Sequence, residues 1–398
     1  MKAKEHDEIH ALLSVDWNFT NVKSNYATHG LHPYPAKFIP QIPRALIENL
    51  SHDRETIADI FSGSGTALVE GMLLGRSVVG VDANPLACLI TRGKTARITK
   101  DDVAALLELV HEVLTLRSMI ADAQLNFLTQ DRLGVSLDIP QDQKTLDFWF
   151  MPHVVEELGL INGMINRLPE PAKVLAKVCF SSIIVAVSKQ DSDTRYVRRE
   201  KNIPIGDTLL RFARIVKKSI ARSTAFSENV SPNVSSLVID ANVLDKPEMP
   251  PVGLVVTSPP YPNAYSYHLY HRTRMIWLGM DSDTFKRQEI GSHRKYSRKG
   301  ENRATVETFF AEMVEVFTWI KSFLSRDRYA VFVVGNSTLN GKVVENHAVV
   351  TEAARWSGFS LATVLSRDLQ STRKAFNPSI GKIKQEQIVV LKNDGRGR

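Results

Sequence analysis

Apolar and polar residues follow two different rhythms along this chain. Between about residues 30 and 96, short apolar runs alternate with helical patterns. "TIADIF" reads as a strand, "GTALVEGMLLG" as a helix stopped at Gly75, "SVVGVD" as a second strand, and "PLACLITRGK" as a helix opening at Pro85. This order implies a parallel sheet, because parallel neighbours need a crossover between them. From about 99 to 231 the period is helical. "DDVAALLELVHEVLTLRSMI" opens with Asp101 and Asp102 as cap candidates. "LDFWFMPHVVEELGLINGMINRL" and "IGDTLLRFARIVKKSIARS" follow, with a charged loop over 189–202 between them. Strand patterns return at "SSLVID", "GLVVT", "YAVFVVGN", "FSLATVLS" and "EQIVVLKN". The helical patterns "ETFFAEMVEVFTWIKSFL" and "ENHAVVTEAARWSG" flank the third of these. The last two strands have only a polar loop between them and so pair antiparallel. The expectation is an α/β chain whose seven-stranded sheet is mostly parallel with one antiparallel strand, plus a helical insertion. Its parts are 1–97 (an N-terminal arm and the first half of the domain), 98–234 (the insertion) and 235–398 (the second half, with a basic loop at 283–303).

Composition adds little to this pattern. A length of 398 residues with 43% hydrophobic content suits one large domain or two ordinary ones. A net charge of +7 fits a polyanionic partner. The two cysteines, Cys88 and Cys179, sit in the apolar contexts "PLACLIT" and "AKVCFSS" without metal-ligand spacing, which reads as buried thiols in a reducing compartment. The first twenty residues contain no apolar signal core, and no apolar run is long enough to span a bilayer. A cytoplasmic protein without a membrane partner is expected.

Two strand ends carry candidate chemistry. "DIFSGSGT", 59–66, runs from a strand through a glycine-spaced turn into a helix, where Gly63 and Gly65 allow close approach of backbone to ligand. The full dinucleotide fingerprint is absent, since position 68 is Leu, and there is no phosphate-loop lysine. The ligand therefore need not be a phosphate. "GVDANP" places Asp82 at the next strand end, about 17 residues after Gly65, where a doubly wound fold sets an acid to accept from ribose hydroxyls. Taken singly, Asp82 is a helix cap beside Pro85 and the glycines are a generic turn; together they favour a ribose-bearing ligand. A third stretch, "TSPPY" at 257–261, follows a buried-strand pattern with two prolines, which neither a helix nor a central strand accommodates.

In combination, "DIFSGSGT", "GVDANP" and "TSPPY" resemble the S-adenosylmethionine-dependent amino-methyltransferases that act on exocyclic amines of DNA bases. The resemblance covers about 29–97 and 235–398. It implies a Rossmann-like class I methyltransferase fold with S-adenosylmethionine as cofactor. It implies that Asp59 and the turn of Phe61, Ser62, Gly63, Gly65 and Thr66 hold the methionine part. Asp82 would hold the ribose, Ala83 and Asn84 would border the adenine, and Asp240 would lie near its amino group. "HGLHPYPAKFIPQIPRALIENL" resembles the segment that closes over the methionine carboxylate, with Lys37 as the contact, although a solvated lysine before a helix reads equally well.

The resemblance also gives "TSPPY" a chemistry. An exocyclic amine is a poor nucleophile because its lone pair is delocalised into the ring. Acceptors aimed at its N–H groups favour a pyramidal nitrogen with a localised lone pair. Ser258 offers a hydroxyl oxygen, the Pro259 carbonyl a second acceptor, Pro260 rigidity, and Tyr261 a ring for a flipped base to stack on. A serine in first place most resembles the cytosine-N4 enzymes; Asp or Asn there resembles the adenine-N6 ones. Cytosine carbon-5 chemistry needs a nucleophilic thiolate in a Pro-Cys setting, which neither cysteine has. Double-stranded DNA is the expected partner, with a cognate restriction endonuclease in a bacterial or archaeal cell. Basic clusters around Tyr196 (Arg195, Arg198, Arg199, Lys201) and Tyr296 (Lys286, Arg287, Arg294, Lys295, Arg298, Lys299) are candidate phosphate and base-edge contacts. The insertion and the basic loop compete as the target-reading region. "NAYSYHLYH" could line the base pocket; its His268 and His271 lack a third ligand, so no metal is expected. An adenine-N6 enzyme, an RNA base-amine methyltransferase and a non-catalytic DNA-binding subunit are the alternatives.

Overall fold

Seven strands form the frame: β1 (Ile57–Asp59), β2 (Val78–Asp82), β3 (Ser236–Asp240), β4 (Val252–Thr257), β5 (Leu324–Gly335), β6 (Ser360–Asp368) and β7 (Gln385–Lys392). They come from a computed structural model, which describes residues 2–35, 37–121, 136–262, 266–297, 303–339, 341–369 and 385–395. The spatial order is β6-β7-β5-β4-β1-β2-β3. β7 runs antiparallel to both neighbours, and the other adjacent pairs are parallel. The seven-stranded, mostly parallel sheet with one antiparallel strand is therefore present.

The helices that matter here are α1 (Gln41–Leu50), α2 (Thr66–Leu73), α3 (Pro85–Thr95), α4 (Lys100–Ala121), α5 (Pro152–Asn166), α6 (Ala172–Val187), α7 (Asp207–Asn229), α8 (Val306–Phe323) and α9 (Asn346–Trp356). The central strands are apolar at nearly every position because both sheet faces are covered. Ile57, Leu254, Val256 and Val331 pack on one face with Leu46 of α1 and Leu68 of α2. Ala58, Val255, Ala330 and Phe332 pack on the other with Phe317 of α8 and Ala353 of α9. Each such fully buried large aliphatic or aromatic side chain stabilises the fold by about 1.5–3 kcal/mol.

The insertion has its own core, built from α4 to α7 and continuous with Leu86 and Ile90 of α3. α6 is apolar around most of its circumference because it is buried there, which explains why the run at 178–187 gives no one-sided helical stripe.

Several local expectations change. Thr99, not Asp101 or Asp102, begins α4: its hydroxyl accepts from the Asp102 N–H at 3.2 Å, while Asp102 Oδ2 accepts from the Thr99 N–H at 2.8 Å. This is the reciprocal geometry of a capping box, and the two aspartates fall in the first turn, where they favour the helix dipole. The pattern over 146–168 is two helices, because Pro152 opens α5 at its first turn and ends the helix Gln143–Trp149 before it. The charged loop at 189–202 contains an antiparallel hairpin, Gln190–Ser192 with Arg195–Arg198. β5 starts at Leu324, earlier than its apolar run suggests.

Candidate active site

The strand order reverses between β1 and β4, and open α/β sheets bind ligands in the crevice at such a point, outside the carboxyl ends of the strands. β1 runs into the 60–66 turn and β4 into 258–261, so both unusual stretches emerge side by side. Thr257 ties them together. Its hydroxyl donates to Asp59 Oδ1 at 2.6 Å and accepts from the Phe61 N–H at 3.1 Å. β2 joins the same junction: Gly63 N–H donates to Asp82 Oδ2 at 2.8 Å, and Asn84 N–H to Asp82 Oδ1 at 2.8 Å. Gly65 precedes α2 with φ +75°, and a Cβ there would lie 2.8 Å from the Thr91 side chain. Only glycine makes that turn at that distance from α3.

A cleft of about 800 Å³ opens over this junction. Lys37, Phe61, Ser62, Gly63, Thr66, Asp82, Ala83 and Asn84 line one side, and Ser258, Pro259, Pro260 and Tyr261 line another. Asp59, Gly65 and Asp240 stand outside the lining. Asp59 is buried behind the turn it supports, and Asp240 is exposed at the end of edge strand β3.

Burial dominates the electrostatics. Loss of water pushes the Asp59 carboxyl up to about 7, against the hydrogen bonds from Thr257 and the Phe61 N–H that favour its charge. Burial likewise pushes Asp82 up to about 6, opposed by the Asn84 and Gly63 N–H groups. The Lys37 ammonium is lowered by burial and donates to the His29 carbonyl at 3.1 Å. Asn84 caps α3, accepting from the Leu86 N–H at 3.1 Å and donating to the Tyr34 hydroxyl at 3.3 Å. In the 258–261 turn, Ser258 Oγ donates to the Val333 carbonyl at 2.9 Å. A hydroxyl has one donor and two acceptor sites, so this bond leaves Ser258 able to act toward a ligand as an acceptor.

Sequence reasoning missed other groups on the cleft. Tyr34 stacks on Tyr267 (centroids 5.8 Å apart) and on His271 (5.1 Å). It lay inside the quoted 29–50 segment, but a periodicity reading gives no reason to single it out. Ser64 presents a buried hydroxyl without a partner. Glu289 accepts from the Tyr267 N–H at 2.5 Å and meets His268 Nδ1 at 2.6 Å, fixing the segment after the 258–261 turn. Of the aromatics after "TSPPY", Tyr267 lines the cleft, His271 is buried beneath it, and Tyr265 lies outside the described residues.

The basic candidates divide. Arg195 and Arg199 both pair with Asp191, at 3.7 and 3.4 Å, and keep exposed guanidinium groups. Arg198 pairs with Glu200 at 2.8 Å and lies over the Phe148 ring. Lys201 turns inward, its ammonium donating to the Val185 carbonyl at 2.9 Å and also to that of Gln190, which leaves it a bracing role. Tyr196 packs on Trp149 and Tyr296 is buried, so neither ring is set to read a base edge. Lys295 borders a second concavity, Arg294 falls in the short helix His293–Tyr296, and Arg298 lies outside the described residues.

Residues 2–92 match the model of the N6/N4 family, described as DNA methylase. That stretch, about the first quarter of the chain, is similar to the N6/N4 DNA methylase family. Among curated proteins, this chain is 27% identical to the type II methyltransferase M.MvaI of Kocuria varians over 67% of its own length and 60% of that protein. It is 22% identical to the type II methyltransferase M.BsoBI of Geobacillus stearothermophilus over 79% of its length and 64% of that protein. A shorter stretch is 37% identical to the type II methyltransferase M.MjaII of Methanocaldococcus jannaschii, over 22% of this chain and 16% of that one. The chain thus spans less than two thirds of the relatives it matches. The methylase family uses S-adenosylmethionine, and the first side of the cleft fits it. Asp82 offers carboxylate oxygens at the β2 end, and the unpartnered hydroxyls of Ser62 and Ser64 lie buried on the same wall.

Proposed function

We propose that this chain transfers a methyl group to an exocyclic amine of a base flipped out of double-stranded DNA, most specifically the N4 amine of cytosine. The observation that carries the reading is the hydrogen bond from Ser258 to the Val333 carbonyl. A serine whose own proton is engaged elsewhere meets an amine N–H as an acceptor. S-adenosylmethionine supplies an electrophilic methyl group on a sulfonium sulfur. Asp82, Asn84, Ser62, Ser64 and Lys37 would hold that cofactor on one side of the cleft. On the other side Ser258 Oγ and the Pro259 carbonyl accept from the two N–H groups of the base amine, which localises the nitrogen lone pair, and Tyr261 supports the base ring. With that cofactor bound, the methyl group would pass to the amine nitrogen as its bond to sulfur breaks, and the nitrogen would then shed one proton. No protein nucleophile is required.

Serine in the first position of the turn supports cytosine over adenine. Arg195, Arg198 and Arg199 on the hairpin, and Arg294 and Lys295 after the turn, are the proposed contacts to the DNA backbone. The setting is modification of a specific site, with a restriction endonuclease of the same specificity as partner, in a cytoplasmic, nucleoid-associated location. No helix among the described residues is long and apolar enough to cross a membrane. Incubation with methyl-labelled cofactor and either DNA or RNA, followed by nucleoside analysis, tests the reading. N4-methylcytosine in DNA is expected. N6-methyladenine would replace the target base, label in RNA alone would move the substrate class, and no label in either would leave a DNA-binding subunit.

A further inference from the structure

The helix Ser282–Gln288 borders two cavities at once. Phe285 and Gln288 line the main cleft. Lys286 and Arg287, on its other side, line a separate concavity of about 460 Å³ together with Asp283 and Lys295. Three cations there face one carboxylate. The nearby Asp281 is engaged in capping the helix, accepting from the Asp283 N–H at 2.9 Å and the Thr284 N–H at 3.1 Å. Glu312 is the other acid that feels Lys295, and burial raises it toward its neutral form.

This notch is fixed in place relative to the catalytic turn. Glu289, which follows the helix, holds Tyr267 and His268. Two residues further, Gly291 lies against the turn itself, with φ +73° and a would-be Cβ 2.7 Å from the Tyr261 carbonyl oxygen. Any side chain there would force the segment off the turn. A charged surface loop has no reason to be locked so closely to a reaction centre; a binding element does.

We propose that the notch formed by Lys286, Arg287 and Lys295 seats a backbone phosphate of the target strand, beside the nucleotide turned into the cleft. The inference rests on the reading of the cleft as a base-methylating site. A flipped nucleotide stays joined to its strand by a phosphodiester on each side, so its phosphates must lie at the cleft rim. The helix that lines the cleft with Phe285 and Gln288 carries Lys286 and Arg287 on its opposite face. Arg287 and the two lysines provide charge and N–H donors for phosphate oxygens.

The test compares the wild-type chain with Lys286→Ala/Lys295→Ala and with the charge reversal Lys286→Glu. Circular dichroism and calorimetric titration with S-adenosylmethionine serve as controls for folding and the cofactor side. Duplex DNA binding is measured across a salt series. Loss of that phosphate contact should reduce the slope of log K against log salt by roughly 0.9. Affinity for DNA should fall at least tenfold with cofactor affinity unchanged. An unchanged slope in variants that still bind cofactor would overturn the assignment. So would a wild-type chain that binds inorganic phosphate in the notch but shows the same DNA slope as the variants, which would make the notch a free-phosphate site. A wild-type chain that binds DNA and cofactor yet transfers no methyl group would instead sink the reading of the cleft, while the slopes would still decide the notch.

Discussion

Thr257 and Asp59 end neighbouring strands, and their side chains meet at 2.6 Å across the point where the sheet reverses its order. The same hydroxyl accepts from the Phe61 N–H. One side chain therefore holds the 60–66 turn and the 258–261 turn at a fixed separation, which the proposed methyl transfer between two bound partners requires. Thr257→Val keeps the shape but removes both hydrogen bonds and leaves a buried carboxyl short of a donor. We expect a loss of about 1–3 kcal/mol in denaturant unfolding. Single-turnover methyl transfer should slow by at least tenfold while the cleft still forms. Full activity in the valine variant would show that the strand pairing alone sets the geometry.

The two buried aspartates predict opposite pH trends for stability and for binding. An unfolded aspartate titrates near 3.9, whereas burial raises Asp59 to about 7 and Asp82 to about 6. The folded state thus holds both protons more firmly than the unfolded chain. Their stabilising contribution is complete below about pH 4 and is lost as the pH rises through 6 for Asp82 and 7 for Asp59. Asp59→Asn should flatten this decline in urea midpoints between pH 4 and 7. Cofactor binding should run the other way, because ionised Asp82 is the better acceptor for ribose hydroxyls. Affinity by calorimetry should rise from pH 5 to about 7 and then level off. Asp82→Ala should bind at least tenfold more weakly and lose that rise.

The parallel sheet was legible because the central strands wrote apolar runs, and the helices after the first two strands began just past Gly65 and at Pro85. The cleft was legible for a related reason: its two walls begin where strands stop, and stops are marked by glycine, proline and aspartate. What stayed hidden involves partners distant in sequence. Thr257 reads as an ordinary strand residue until Asp59, 198 positions away, is seen beside it. Tyr34 and Glu289 act through contacts with Asn84 and Tyr267 that no local pattern announces. Lys201 looked like a surface cation beside three arginines, and only the fold shows its ammonium turned onto backbone carbonyls.

Ser258 gives the sharpest functional test. Its oxygen is held by the bond to Val333, so Ser258→Ala removes an acceptor without disturbing the strand. A hydrogen bond to a group gaining charge is worth about 1.5–3 kcal/mol, which corresponds to roughly a ten- to hundredfold loss in kcat. Cofactor affinity should change less than twofold. If kcat persists, the serine does not touch the amine.

The insertion reaches the catalytic side through one buried cation. Arg274 has no solvent exposure; its Nε donates to the Ser181 carbonyl of α6 at 2.9 Å, and its guanidinium pairs with Asp193 at the tip of the 190–198 hairpin. Gln190 adds a second tie, donating to the Tyr270 carbonyl at 3.1 Å and accepting from Thr273 at 2.8 Å. The hairpin that carries Arg195, Arg198 and Arg199 is therefore docked on the segment that follows the 258–261 turn. This joins the hairpin of the insertion and the 267–274 segment into one docked unit. Asp193→Ala leaves a buried guanidinium without its carboxylate, so the docked hairpin should lose about 1–3 kcal/mol. Asp193→Asn keeps an acceptor and should lose less. Hydrogen exchange gives the readout: amides at 190–198 and 267–274 should quicken together in the alanine variant. Faster exchange in the hairpin alone, with 267–274 unchanged, would show that the two segments do not share one docking energy.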